Sequence, residues 1–257
     1  MSIHEKTQDN AFMSSGLVTM NPLPSDPDQL EQVRDELDVL SGMVPLAEQQ
    51  LIELGCGNAR LARSLVQRFA GSQVVGLEVD EVQHARNLAE PQDRIQFLAG
   101  SAQAVPFPDA SFDGALMLKS LHHVPLQFMD AALQEVARVL RPGAWLYVSE
   151  PIYGGALNEI VRLFNDEGVV RPAAQVALDR ALATDAWAPA GERRFAQPVR
   201  YASWEEFAQR MLYPTFADHG ITPALVERVK AVFMPHLGPE GARFVRPMHV
   251  RLLRRRA

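Results

Sequence analysis

Apolar positions along this chain change their spacing in a regular order. Short apolar-rich runs occupy residues near 50–54, 73–78, 94–98, 112–118 and 144–150. They lack the alternation of a half-exposed strand, so they read as strands buried on both faces. Between them the apolar spacing shifts to three and four, predicting helices near 59–69, 81–89 and 127–140. Alternation of this kind places parallel strands in one sheet with helices on both sides. An earlier helix is expected with Leu30, Val33, Leu37 and Leu40 on one face, ended by Gly42 and Pro45. Before it, residues 1–25 are polar and lead into Asn21-Pro22-Leu23-Pro24-Ser25-Asp26-Pro27, a loop signal.

After Glu150-Pro151 the alternation stops. Helices are predicted near 155–167, 172–186, 204–211 and 223–232, with a loop through Pro189 and Gly191 and strands near 195–201 and 244–253. The expected organisation is an arm and helix at 1–45, an α/β core at 46–151 and helical additions with closing strands at 152–257. All three parts belong to one compact unit.

The strongest chemical signal is Leu51-Ile52-Glu53-Leu54-Gly55-Cys56-Gly57-Asn58-Ala59-Arg60, a buried strand that breaks into a glycine turn before a helix. Glycines there permit positive φ and close approach of a ligand to the main chain, and the helix start adds unpaired N–H groups. Such a turn after the first strand of an α/β unit is a nucleotide-type site. A dinucleotide fingerprint needs a third glycine where this chain has Arg60. Glu53 is misplaced beside phosphates but suits a cationic ammonium or sulfonium. This segment resembles motif I of the class I S-adenosylmethionine-dependent methyltransferases. In that family the turn lies against the methionine part of the cofactor.

Three further segments agree in order. Val74-Val75-Gly76-Leu77-Glu78-Val79-Asp80 is a second strand ending in an acid, suited to accept ribose hydroxyls. Gly100 to Asp113 resembles the G-D-A-x-x-L-P-F-x-D-x-S-F-D loop of type 11 methyltransferases, the group that includes quinone-biosynthesis methyltransferases. Leu116-Met117-Leu118-Lys119-Ser120-Leu121-His122-His123-Val124 resembles their fourth strand and its exit. The resemblance spans about residues 48–151. It implies a Rossmann-like, mostly parallel seven-stranded sheet closed by an antiparallel pair, with helical additions over the C-terminal strand edge. It also implies S-adenosylmethionine as cofactor, held by Glu53, Gly55, Cys56, Gly57, Glu78, Val79, Ser101, Ala102 and Lys119. One position departs: the family has Asp where this chain has Ser101, which holds an adenine amino group without charge.

His122 and His123 follow the fourth strand and are the candidate general bases, imidazole being matched to neutral pH. The competing reading is that one of them orders the strand exit. Tyr153, just after the fifth strand, is a candidate acceptor contact. His84, His219, His236 and His249 are read as structural. No Cys/His cluster or H-x-x-x-H spacing occurs, so no metal is expected. Cys56 is the only cysteine, which excludes an intrachain disulfide and fits a reducing, cytoplasmic setting. No signal peptide or membrane span is read from the chain. A net charge of −6 argues against a broad nucleic-acid-binding field; the acceptor is expected to be a small molecule, and the oligomeric state is open. Three rival readings stay open. They are a non-catalytic cofactor-binding relative, a nicotinamide oxidoreductase, and an RNA methyltransferase using Arg162, Arg171, Arg180, Arg193, Arg194 and Arg200.

Overall fold

A computed structural model describes residues 29–215 and 217–257. The loop expected at 21–27 and the arm before it lie outside the described residues. The apolar runs form β1 (Gln50–Leu54), β2 (Gln73–Glu78), β3 (Ile95–Ala99), β4 (Phe112–Leu118) and β5 (Leu140–Pro151). Later strands are β6 (Trp187–Tyr201), β7 (Leu237–Gly238) and β8 (Gly241–Arg255). One path joins them in the order β3-β2-β1-β4-β5-β8-β6, and β7 pairs only with β8, completing an eight-stranded sheet. β1 to β5 pair in parallel, whereas β8 runs antiparallel to both β5 and β6. The seven-stranded expectation holds for the main path, and β7 is an added hairpin arm.

Residue parity explains the apolar-rich runs. Ile52, Leu146 and Val148 pack on one side of the sheet with helices α4 (Met129–Val139) and α6 (Val170–Leu182). Leu51, Trp145 and Tyr147 point to the other side, against α1 (Glu36–Ser41) and α2 (Arg60–Arg68). Neighbouring side chains alternate faces, and both faces are covered, so most positions are apolar and the strands' buried acids sit at their carboxyl ends.

Three sequence expectations need correction. The first helix begins only at Glu36, where Asp35 caps it by accepting from Leu37 N at 3.0 Å. The residues before it lie beside β6, with Val33 N donating to Ala196 O at 2.9 Å and Ala196 N to Glu31 O at 2.8 Å. An edge strand leaves main-chain groups that need partners, and this segment supplies them while still burying Leu30 and Val33. The loop expected through Pro189 and Gly191 belongs to β6, which tolerates the proline by a bulge at those residues. The helix expected over 155–167 stops early as α5 (Ala156–Val161).

The chain leaves β1 toward β2 and β3 on one side and returns through β4 on the other, so the switch point lies between β1 and β4. Ligand crevices form there, beyond the carboxyl ends of the strands. α7 (Trp204–Met211) and α8 (Pro223–Phe233) join α5 in a separate apolar cluster with Tyr201 and Phe244. α3 (Glu81–Ala89) follows β2. Among the described residues no helix is long and apolar enough to cross a membrane.

Candidate active site

β1 ends in two left-handed glycines, Gly55 at φ 71° and Gly57 at φ 53°. They are needed for different reasons. A Cβ on Gly55 would lie 2.8 Å from the Cβ of Ser120, whose hydroxyl donates to Leu54 O at 2.7 Å. The exits of β1 and β4 are thus in direct contact. A Cβ on Gly57 would meet nothing within 4 Å, so there the requirement is conformational and the main chain stays open to the cleft. The turn is tied to the end of β2. Glu78 Oε2 accepts from Gly57 N at 2.7 Å, and Oε1 accepts from Val79 N and Asp80 N at 2.9 Å each. A carboxylate offers about four acceptor positions, which leaves one for a hydroxyl. Asp80 caps α3 by accepting from Val82 N at 3.0 Å, as its position in the sequence suggests.

Glu53 is 4% exposed, and its Oε2 has no hydrogen-bond partner. Burial pushes its carboxyl up to about 8, against the opposing pull of Lys119. Lys119 itself lies with Nζ 3.4 Å from Oε2 of buried Glu36, which also accepts from Tyr147 Oη at 3.5 Å. Two buried acids therefore share one lysine, and an arriving cation would correct the deficit. Glu36, Glu53 and Lys119 line a cleft of about 1440 Å³ together with Ser101, Ala102 and His123. Val79 also lines it, with an apolar side chain left 64% exposed.

The two histidines part company. His122 is buried between two acids: Nδ1 hydrogen-bonds Glu150 Oε2, and Nε2 lies 3.6 Å from Glu167 Oε1. Burial alone would lower its basicity, but Glu150 and Glu167 outweigh it and raise the imidazole to about 9. Glu150 also accepts from Leu121 N at 2.9 Å, and Glu167 accepts from Arg171 Nε at 2.8 Å. Ionised partners hold Glu167 down at about 2 despite its burial. His122 is thus a positioned imidazolium in an ion-pair chain. His123 instead opens to the cleft, its ring 4.1 Å from that of His122. The protein packed round it and the His122 cation hold it below the ordinary imidazole range. Atoms of His122, His123 and Glu167 lie within 4.8 Å of one another, but both His122 nitrogens already face carboxylates.

Comparison with known proteins agrees with this geometry. A family model described as "Methyltransferase domain" matches residues 52–148. Over residues 52–148 the chain is thus similar to the type 11 methyltransferase domain. The chain is 35% identical over 127 residues to 27-O-demethylrifamycin SV methyltransferase of Amycolatopsis mediterranei, covering 47% of this chain and 46% of that one. It is 30% identical over 154 residues to a fatty-acid O-methyltransferase of Mycolicibacterium smegmatis, covering 56% and 54%. The chain thus spans about half the length of the curated relatives it matches. In fold it is similar to a putative methyltransferase structure from Bacillus halodurans, with a TM-score of 0.60 at 14% identity, covering 87% of this chain and 99% of that one. The cofactor that this similarity implies is S-adenosylmethionine. The residues present fit it: Glu53 has an orphaned buried oxygen, and Gly57 leaves the main chain open.

The structure brings Glu53, Gly55, Cys56, Gly57, Glu78, Val79, Ser101, Ala102, Lys119 and His123 to the methyltransferase cleft. Three assignments change in kind. Cys56 contributes its backbone, since its buried thiol faces Asn87 Nδ2 at 3.7 Å and burial pushes it up, away from thiolate chemistry. His122 lies behind the cleft wall as a cation and has no proton-accepting nitrogen. Tyr153 lines neither cavity, because its hydroxyl donates to Asp166 Oδ1 at 2.8 Å and braces the loop before α6. Sequence reasoning missed Glu36, Glu150, Glu167 and Arg246. A signal existed for two of them. Glu150 ends the apolar run of β5, and Arg246 interrupts the apolar row Phe244, Met248, Val250, Leu252 on one face of β8. His219, read as structural, lines the cleft as well.

A consequence for binding follows from Glu53. It keeps its proton up to about pH 8, so capture of an ammonium beside it is expected to release up to about one proton near neutral pH. Titrations in buffers of different ionisation enthalpy should show that release, and Glu53→Gln should abolish it.

Proposed function

We propose that this chain is an active S-adenosylmethionine-dependent methyltransferase that acts on a small-molecule acceptor by in-line displacement. The observation that carries it is the convergence of the glycine turn, Glu53 and Glu78 at the switch point of the sheet. When bound, the cofactor supplies a methyl carbon activated by a positive sulfur.

The chain's own part is alignment and exclusion of water. Glu53 would receive the ammonium, Gly55 and Gly57 the methionine backbone, and Glu78 a ribose hydroxyl. Val79 offers an apolar contact to the base, with Ser101 and Ala102 at its edge. His123 is the histidine at the cleft, and its depressed basicity keeps it neutral but makes it a weaker proton acceptor than a free imidazole. The additions after Pro151 would hold the acceptor. A small acceptor is favoured over RNA because Arg162, Arg171, Arg180 and Arg193 are each paired with a carboxylate.

The test is calorimetric titration with S-adenosylmethionine and S-adenosylhomocysteine, on the wild type and on Glu78→Ala. Micromolar binding, about −8 kcal/mol, is expected in the wild type, with loss of at least about 100-fold in the variant. Folded wild-type protein that binds neither ligand would overturn the reading.

A further inference from the structure

A second cavity of about 340 Å³ opens from the cleft. It shares Lys119, His123, Arg210, His219 and Arg246 with the cleft and then runs beneath the helical additions. Its far wall is apolar: Ile152, Leu157, Val161, Phe164 and Met211. Its size lies at the low end of the range for small-ligand sites, about 300–1,000 Å³. One modest acyl or aryl body would fill it.

The charges around this chamber do not balance. Lys119 is paired with Glu36, Arg171 with Glu167 and Arg210 with Glu206. His122 has Glu150. Of the lysine and arginine side chains of the wall Arg246 remains, and no carboxylate pairs with it among the described residues. It projects from the face of β8 otherwise given to Phe244, Met248 and Val250. An arginine in an apolar row, half-buried and without a counter-charge, costs stability unless something else supplies the anion. Other polar groups of the chamber are unsatisfied too. Asn158 Nδ2 is buried without a partner, although its Oδ1 accepts from Arg171 at 3.0 Å. Both ring nitrogens of His219 are buried without partners among the described residues, the ring lying 5.5 Å from that of Phe164.

We propose that this chamber is the acceptor site and that it takes an amphipathic carboxylic acid, its carboxylate on Arg246 where the two cavities meet and its apolar body among Ile152, Leu157, Val161 and Phe164. This rests on the methyltransferase reading and adds the acceptor's chemical class to it. A planar guanidinium fork matches the two oxygens of a carboxylate. Asn158 and His219 offer further donors, and an amine headgroup placed at Arg246 would meet like charge, since the chamber's Glu167 is already engaged by Arg171 and His122. Arg171 and Arg210 are already spent on glutamates, so a single anionic group satisfies the chamber where a multiply charged phosphate would not.

The test is titration of octanoate, octanamide and octylamine into protein saturated with S-adenosylhomocysteine, repeated on Arg246→Gln and Arg246→Lys. Octanoate is expected to bind about 10-fold to 100-fold more tightly than the amide. Arg246→Gln should erase that preference and Arg246→Lys should restore part of it. S-adenosylhomocysteine binding by each variant reports that the fold and the cofactor side are intact. Octanoate binding no better than octanamide, or a preference that survives Arg246→Gln, would overturn the proposal while leaving the methyltransferase reading in place. Failure of S-adenosylhomocysteine to bind the wild type would instead strike that reading.

Discussion

Gly55→Val is expected to abolish measurable cofactor binding and to lower the thermal midpoint of the protein. Two costs combine at this position. The residue holds φ at 71°, a region that β-branched side chains avoid at about 1–3 kcal/mol. The new Cβ would also fall 2.8 Å from the Cβ of Ser120, an overpacking of about 1–3 kcal/mol. Relief requires β1 and β4 to separate, which breaks the Ser120 to Leu54 hydrogen bond and moves the turn away from Glu78. Thermal denaturation with calorimetry checks both effects. Gly57→Ala separates the causes, because a Cβ there meets no neighbour within 4 Å and only the conformational cost applies. A Gly55→Val protein that binds S-adenosylhomocysteine like the wild type would refute this account of the turn.

Loss of Glu150 is the second large effect. Glu150→Ala is expected to destabilise the protein by about 3–5 kcal/mol, since it strands a buried imidazolium and leaves Leu121 N without its acceptor. Glu150→Gln should cost less, because the amide oxygen can still accept. The pH dependence follows from the shifts. His122 is raised from 6.5 to about 9, so its contribution is complete below pH 6.5 and is lost as pH rises through about 9. Glu167 is lowered from 4.5 to about 2, so its contribution is present above pH 4.5 and lost as pH falls toward about 2. The ion-pair chain is therefore fully effective between about pH 4.5 and 6.5. Chemical denaturation across pH should show wild-type stability declining above that window and a flatter alkaline limb in Glu150→Gln. Equal alkaline slopes in the two proteins would show that His122 is not held charged by Glu150.

These two predictions draw on residues of different legibility. Gly55, Gly57, Glu53 and Glu78 could be read from the chain, because each sits at a strand end and its chemistry is local to one turn. The parallel core was equally readable, since strands buried on both faces are apolar at most positions. The early helix was misjudged because Leu30 and Val33 bury equally well from an extended segment beside an edge strand. The Pro189–Gly191 stretch was misjudged because a bulge at the sheet edge absorbs a proline that local propensity assigns to a loop.

The histidine pair marks the boundary between the two kinds of knowledge. Adjacent in sequence, His122 and His123 have opposite fates, one raised by two acids that outweigh its burial and the other lowered by burial and by the first. Their acids come from β5 and from the loop before α6, 28 and 45 positions away. Sequence alone determined the parallel core and the glycine turn at its switch point, because strand periodicity and such a turn are written within a few consecutive residues. Tertiary structure alone decided which histidine faces the cleft, and among the described residues it left Arg246 without a paired carboxylate beside a second chamber. Those outcomes depend on which distant side chains meet in a space of low dielectric, where a charge is governed by its neighbours rather than by its own residue type.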